Sequence, residues 1–434
     1  MAGDNEIWPA VSLGPRAEKI GSGATPRGGK EAYLESGPYT LIRSQNVHDF
    51  SFRWDGLAYI NEEQARALDT VEVLSGDVLI NITGDSVARV CMVDDRALPA
   101  RVNQHVAIIR ADPVEFSQAY LLYALLEPKM KQRLLMLASA GATRNALTKG
   151  TLEELQISQP KKHEQDQITG VLAALDTKID LNRQMAATLE DTARALFKSW
   201  FVDFGPVHAK AEGCDTGLSA EIAAMFPNSF DDEGLPKGWA WKRADEIARS
   251  VRSTANPQAM SPETPYIGLE HLPRKSLGIS SHGYANQVES GKLHFKEGDL
   301  LFGKLRPYFH KVSVMPFEGI ASSDIFVFRA KHERYRGLMY LGFSEDGFVA
   351  SASGASTGTR MPRAEWSFMS EQVFASDGAD VLEAFNAIAL SHVEQINERL
   401  IESRKLEQLR DTLLPRLLSG ELRVADAENV IAAA

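Results

Sequence analysis

Cysteine is nearly missing from this chain: Cys91 and Cys214 are the only two in 434 residues. They stand far apart without His or Cys partners at ligand spacing, so neither a disulfide framework nor a zinc site is expected. Cys91 reads as core and Cys214 as loop. Long apolar runs are missing as well, since none approaches the ~20 residues needed to cross a bilayer. Met1 to Trp8 carries acidic residues and no basic ones where a secretory leader would begin, so a cytoplasmic protein with no membrane role is expected. Basic excess is missing too. A net charge of −11 argues against coating nucleic acid everywhere, because nonspecific affinity comes from Lys and Arg neutralising phosphates. Restricted basic patches stay open, because acidic excess gathers at Asp231 to Glu233 and after Arg423.

Catalytic signatures are also lacking. No Asn-Pro-Pro-Tyr or Asp-Pro-Pro-Tyr is present, and Asn256-Pro257-Gln258-Ala259 has no aromatic to stack on a flipped base. There is no paired-His metal motif. Gly21 to Lys30 is Gly-rich and ends in Lys, but a phosphate-cradling loop needs Gly where Ala24 stands and Ser or Thr where Glu31 stands. An exposed loop bearing Arg27 and Lys30 is expected there instead.

What the chain does contain is one unit written twice. At 44% hydrophobic and 24% charged it is globular, with length for two or three packed units. Gly76-Asp77-Val78-Leu79-Ile80-Asn81 returns 222 residues later as Gly298-Asp299-Leu300-Leu301-Phe302-Gly303, and the ungapped continuation sets Arg89-Val90 against Lys311-Val312. Val106 to Arg110 matches Ile325 to Arg329, and Gly-rich turns ending in Thr143-Arg144 and Thr359-Arg360 follow. Short β-branched and aliphatic runs bounded by Gly, Asp or Pro predict strands, and Ser117 to Ala138 predicts a helix. Each copy therefore reads as an α+β module with a mainly antiparallel sheet.

A long helix follows each module. In the first, Ile168, Leu172, Leu175, Ile179, Asn182, Ala186, Leu189, Ala193, Leu196 and Trp200 step by alternating four and three, the period of a coiled-coil seam. Asn182 is a lone polar residue in it, of the kind that fixes register at a cost in stability. The second helix is less regular, because Ser403 and Arg410 interrupt Val393, Ile396, Leu400, Leu406, Leu409, Leu413 and Leu417. At ~1.5 Å per residue each helix is about 55 Å long. The expected layout is a module over 1–160, a helix over 161–204, a linker over 205–234, a module over 235–375, a helix over 376–424 and a disordered tail over 425–434. The linker has room for one short helix from Leu218 to Phe226, and Trp200-Phe201 to Phe204 reads as packing at the helix end.

Four phrases in order carry a family resemblance. Gly21-Ser22-Gly23-Ala24-Thr25-Pro26 with Ile42-Arg43-Ser44-Gln45-Asn46-Val47 opens the first module. Glu164-Gln165, Leu175-Asp176-Thr177-Lys178-Ile179 and Asn182 mark the central helix, and Trp200-Phe201-Val202-Asp203-Phe204 closes it. Leu413-Leu414-Pro415-Arg416-Leu417-Leu418-Ser419-Gly420-Glu421-Leu422 comes last. Over nearly its full length the chain resembles the specificity subunits of Type I restriction-modification systems. The resemblance implies that each module is a target-recognition domain binding one half of a bipartite site on double-stranded DNA, with the helices packed antiparallel as a spacer. It further implies two methyltransferase subunits supplying S-adenosylmethionine and the chemistry, with motor-nuclease subunits able to join. This chain would then hold no catalytic residue and no cofactor. Half-sites would lie a set distance apart, because major grooves recur about every 34 Å. Divergence such as Ile82-Thr83-Gly84-Asp85-Ser86 against Lys304-Leu305-Arg306-Pro307-Tyr308 predicts an asymmetric target.

Candidate DNA contacts follow from side-chain chemistry. Arg43 suits guanine and the amides of Gln45 and Asn46 suit adenine, beside Ser44, the alternative being a turn held by Asn46. In the second copy Glu270 suits cytosine, the alternative being a solvated carboxylate. Lys304, Arg306, Tyr308 and Lys311 interleave cations and an aromatic, with Arg89 the matching cation in the first copy. Arg144-Asn145, Arg360 and Arg363 leave Gly-rich turns able to approach phosphates. Two rival classes stand beside this reading: an autonomous DNA-modifying enzyme, and a coiled-coil assembly protein that never touches DNA.

Overall fold

The computed structural model describes residues 8–26, 32–139, 145–354, 362–376 and 379–432. Two compact units form, one from residues 1–177 with 406–434, the other from 178–405.

Each unit holds one module, and the two modules share a plan. In the first, Ala17–Ser22, Val106–Ala111, Val78–Asn81 and Val90–Met92 lie side by side in that order as an antiparallel sheet. A second sheet runs Ala58–Ile60, Tyr39–Ile42, Ala100–Val102, Glu72–Val73, with one parallel pair, 39–42 against 100–102. In the second module the corresponding sheet runs Ala248–Val251, Ile325–Ala330, Leu300–Gly303, Val312–Val314. Its companion again has one parallel pair, Pro265–Ile267 against Gly319–Ala321.

Alternation along the inner strands explains the layering. Val78, Ile80, Ala107 and Ile109 join the core under the helices, whereas Leu79, Val106 and Ile108 join the core under the second sheet. Phe302 and Phe328 against Leu301 and Val327 repeat this division. A strand buried on both faces has no polar side, which is why these segments read as continuous apolar runs.

The backbone register confirms the repeat residue by residue. Asn81 N–H donates to Arg89 O at 2.9 Å, and Gly303 N–H to Lys311 O at 2.9 Å. Left-handed residues recur at the same offset: Gly76 and Gly298, Gly84 and Arg306, Ala88 and His310. A carboxylate–guanidinium fork recurs as well. Arg110 grips Asp77 at 2.7 Å through both nitrogens, and Arg329 grips Asp299 at 2.7 and 2.6 Å. Both carboxylates are buried and also accept a turn N–H, from Leu74 and Lys296 respectively.

Three local expectations are corrected. The helix expected from Ser117 to Ala138 is two, Gln118–Leu126 and Pro128–Ser139, because Pro128 has no N–H to continue the first and biases Glu127 out of helical geometry. The stretch 205–234 holds helices Gly205–Ala211 and Ala220–Met225, which seat Val207 and Phe226 in the second unit's core. The tail forms a helix, Val424–Ala432, with Ala427 buried in the first unit.

The long helices span Lys162–Phe197 and Asp380–Leu418. Within the first unit Arg410 meets Asp176 at 2.7 Å; within the second Asn182 meets Glu402 at 2.8 Å, and Phe197 lies 6.0 Å from Phe385. Partners rise in number along one helix as they fall along the other, so the pairing is antiparallel. The seam holds from Ile168 to Ala186, and Ala193 and Trp200 keep their expected buried places, but two positions among them shift by one residue. Glu190 and Phe197 are buried where Leu189 and Leu196 were expected, and these two leucines are half-buried. A straight helix at 3.6 residues per turn drifts out of a 3.5-residue repeat, and this one then turns through a π segment, Lys198–Val202, that buries Trp200 and Phe201 against Phe226, Trp239 and Phe385. Ser403 and Arg410 do not interrupt the second helix, since both are buried in it.

Two outcomes are expected. Arg329→Met leaves the Asp299 charge buried and uncompensated and should cost the second unit on the order of 3 kcal/mol, measured by denaturant unfolding. Asn182→Leu removes a buried amide whose carbonyl oxygen has no hydrogen-bond partner, so thermal melting should shift upward while register becomes less unique. Cysteine crosslinking across the helix pair reads that register.

Candidate nucleic-acid interface

The inner strands of each module end at one loop edge, on the side away from the buried fork. In the first module Asn103 N–H donates to Ile42 O, Ile82 N–H to His105 O and Leu147 N–H to Ile82 O. The second repeats this with Ser322 to Ile267, Lys304 to Asp324 and Ala364 to Lys304. These bonds gather the loops after residues 42, 81, 102 and 145, and their counterparts after 267, 303, 321 and 362. The described sequence candidates all fall on these loops or on the strand residue beside them. Arg27, Lys30, Arg144 and Arg360 lie outside the described residues.

The first candidate turn is built around Asn46. Its Oδ1 accepts the Arg43 N–H at 3.0 Å and its amide donates to Arg53 O at 2.9 Å. Being fully buried, Asn46 is a turn former and not a base-contacting residue, which corrects that expectation. His271 holds the same place in the second module, its Nδ1 accepting the Gly268 N–H at 2.9 Å. Burial, chiefly, lowers the His271 pKa, consistent with a neutral ring accepting there. One residue earlier, Gln45 and Glu270 are both exposed.

The first edge is largely engaged with itself. Gln45 donates to Gly56 O at 2.9 Å, and Arg43 bonds the same carbonyl while lying 5.1 Å from the Tyr33 ring. Ser44 offers its carbonyl to Asn81 Nδ2 at 2.9 Å. Asn145 is exposed and accepts the Gly84 N–H through its backbone at 3.3 Å. Arg89 is half-buried and, with Arg53, helps depress the His48 pKa, behind the larger effect of burial.

Among the described residues the second edge is more cationic. Arg306 adopts a left-handed conformation at φ 50°, where the first copy has Gly84. Its guanidinium and that of Arg274 flank Phe309, at 5.8 and 4.1 Å, beside an exposed Tyr308. Lys311 bonds Leu269 O, and Arg363 pairs with Asp324. Lys304 donates to Ser323 O at 2.7 Å and sits 4.6 Å from the Phe326 ring. Desolvation first, then Arg363 and Arg252, push its amine down to about 8. Arg252 and Arg274 were missed in the sequence because neither falls in a repeated phrase; Arg252 reaches the edge at the end of strand Ala248–Val251, and Arg274 from the loop after Ile267.

Among the described residues no group of His, Cys, Asp and Glu is arranged to hold a metal, and no helix is long and apolar enough to cross a membrane. Cys91 is buried, its thiol pushed up to about 12 chiefly by that burial, and Cys214 is exposed.

Two copies of one scaffold with different side chains at the same edge define a two-module recognition protein. Residues 17–191 match the family described as Type I restriction modification DNA specificity domain. The chain is 27% identical over 321 residues to the Type I restriction enzyme MjaIX specificity subunit of Methanocaldococcus jannaschii, covering 70% of this chain and 69% of that one. It is 23% identical over 401 residues to the HindI specificity subunit of Haemophilus influenzae, covering 81% and 87%. Its fold is similar to the crystal structure of the S subunit of a Type I system from M. genitalium, with a TM-score of 0.58 at 16% identity over 96% of this chain and 98% of that one. Residues 17–191 carry that family's domain, and over most of its length the chain is similar to Type I restriction enzyme specificity subunits.

The depressed lysine sets a pH signature. Between about 8 and the ordinary value of 10.5 the unfolded chain holds the Lys304 proton and the folded chain has released it, so stability should rise with pH across that window. Lys304→Met should flatten that rise relative to wild type in thermal melts of the two proteins.

Proposed function

We propose that this chain is the noncatalytic DNA-reading subunit of a Type I restriction-modification complex, each module reading one half of an asymmetric bipartite site in double-stranded DNA. The observation that carries this reading is the loop edge, where the backbone is the same in both copies and the side chains differ. Gln45 and Glu270 occupy one position, Gly84 and Arg306 another, Ile82 and Lys304 a third. A shared scaffold with divergent chemistry suits two readers of different base sequences.

The side chains expected to meet DNA are Arg43, Ser44, Gln45, Arg89 and Asn145 in the first module. In the second they are Glu270, Lys304, Arg306, Tyr308, Lys311 and Arg363. Of these, Arg43 and Gln45 must exchange their bond to Gly56 O for a base edge. The paired helices hold the half-sites at their spacing and dock two methyltransferase subunits, which bring S-adenosylmethionine; motor-nuclease subunits complete the restricting form. The work is cytoplasmic. The rival of an autonomous modifying enzyme requires methyl transfer by the purified chain alone, and the rival of a DNA-free assembly protein requires no sequence preference with methyltransferase subunits present.

Exchanging residues 235–370 for the module of another family member should change one half of the methylated site and leave the other, read by methylome sequencing of the host cell. Changes in both halves would contradict modular reading.

A further inference from the structure

The loop edge of the second module contains a recess of about 680 Å³ lined by Arg252, Lys304, Phe326, Arg363, Glu365 and Trp366. We propose that this recess is an anion site for the DNA backbone, seating a phosphodiester on Arg252, Lys304 and Arg363, and that the described residues of the first module hold no counterpart. The proposal rests on the DNA-reading function above and adds to it a built anchor for the DNA backbone in the second module.

Three observations support it. The first is the state of Lys304. Its ammonium is half-buried against the Phe326 ring, has one hydrogen bond to Ser323 O, and keeps two donors for a ligand. The two arginines act on it as like charges, and no carboxylate is among the groups that bear on its titration, so a phosphate would supply the missing counter-charge. The second is the state of its neighbours. Arg252 is exposed, and the carboxylate of Asp324 already holds Arg363 at the rim, so a phosphate competes with Asp324 for that guanidinium. Glu365 is the other acidic group on the wall and is exposed. Planar guanidinium forks beside a lysine suit the oxygens of a phosphodiester, and Trp366 and Phe326 close the recess with apolar surface.

The third observation is the comparison that the backbone register permits. Strand pairing sets Arg252 against Ser22, and the bonds through Lys304 and Ala364 set Lys304 against Ile82. The isolated bridges, Thr83 with Ala146 and Leu305 with Arg363, set Arg363 against Ala146. All three cations are therefore replaced by neutral residues in the first copy. The Trp366 position is taken there by Lys149, which pairs with Glu153 at 3.5 Å.

The test uses the full chain assembled with its methyltransferase subunits and a duplex carrying its target, comparing wild type with the triple variant Arg252→Gln, Lys304→Gln, Arg363→Gln. The slope of log affinity against log salt should become shallower by about 1. The same target should still be preferred at low salt, which also reports that the variant is folded. Independently of any variant, single uncharged methylphosphonate linkages should weaken wild-type binding at one or two positions in the half-site assigned to the second module. An unchanged slope, or wild-type insensitivity to every such linkage in that half, overturns the recess while leaving the reader intact. Wild-type assemblies that retain no duplex at any salt overturn the DNA-reading function itself.

Discussion

A carboxylate taken out of water in the turn before an inner strand must be answered by a fixed cation, and in both modules a single arginine on the adjacent strand answers it. Asp77 with Arg110 and Asp299 with Arg329 join the turn, the strand after it and the neighbouring strand into one register. Slippage of one residue would leave that charge unpaired as well as turn the alternating apolar faces over. With register held at one end of the strands, the loops at the other end are released from structural duty and can differ between copies.

That arrangement explains what was readable in advance. Gly76-Asp77 with Arg110 and Gly298-Asp299 with Arg329 sit in the phrases that revealed the duplication, because residues with a fixed geometric task keep their type. The layered α+β plan followed from the short doubly apolar strands, and the pairing of the long helices from a seam that is regular through Ala186, while their antiparallel sense was implied by the family resemblance alone. The edge was legible in composition and illegible in orientation. Nothing in Ser44-Gln45-Asn46 distinguishes the exposed amide from the buried one; the distinction comes from Asn46 closing the turn on the Arg43 N–H, a task that His271 performs in the other copy with different chemistry. Left-handed backbone at Ala88, Arg306 and His310 was equally hidden, since none is glycine.

The long helices show why polar residues within an apolar period need not be read as breaks. Glu190 accepts both the Leu277 N–H and the Ser276 hydroxyl, and Asn397 on the other helix accepts the Ile279 N–H at 3.1 Å. The segment between them passes so close that a Cβ on Gly278 would lie 2.5 Å from Leu400. In the first unit Arg410 joins Asp176, itself bonded by Tyr123, and lies 3.5 Å from the Phe50 ring. Each of these polar groups satisfies a buried partner contributed by a module or the opposite helix. A seam of leucines alone would hold the helices and leave the modules free to rotate on them.

The acidic balance of the chain then has a physical reading. A net charge of −11 keeps most of the surface repulsive to a polyanion, so attraction is confined to the places where cations accumulate without matching carboxylates. At the first edge Arg43 and Gln45 are occupied by a carbonyl of their own module, and contact with a base requires that bond to be exchanged. Such an exchange favours a base that restores the lost hydrogen bonds and penalises one that does not, which raises discrimination without raising affinity for arbitrary DNA. Among the described residues of the second edge the cations outnumber the carboxylates, and on the proposed reading attraction there is less dependent on sequence. A reader built this way gains little from random duplex and most from a site that satisfies both edges together.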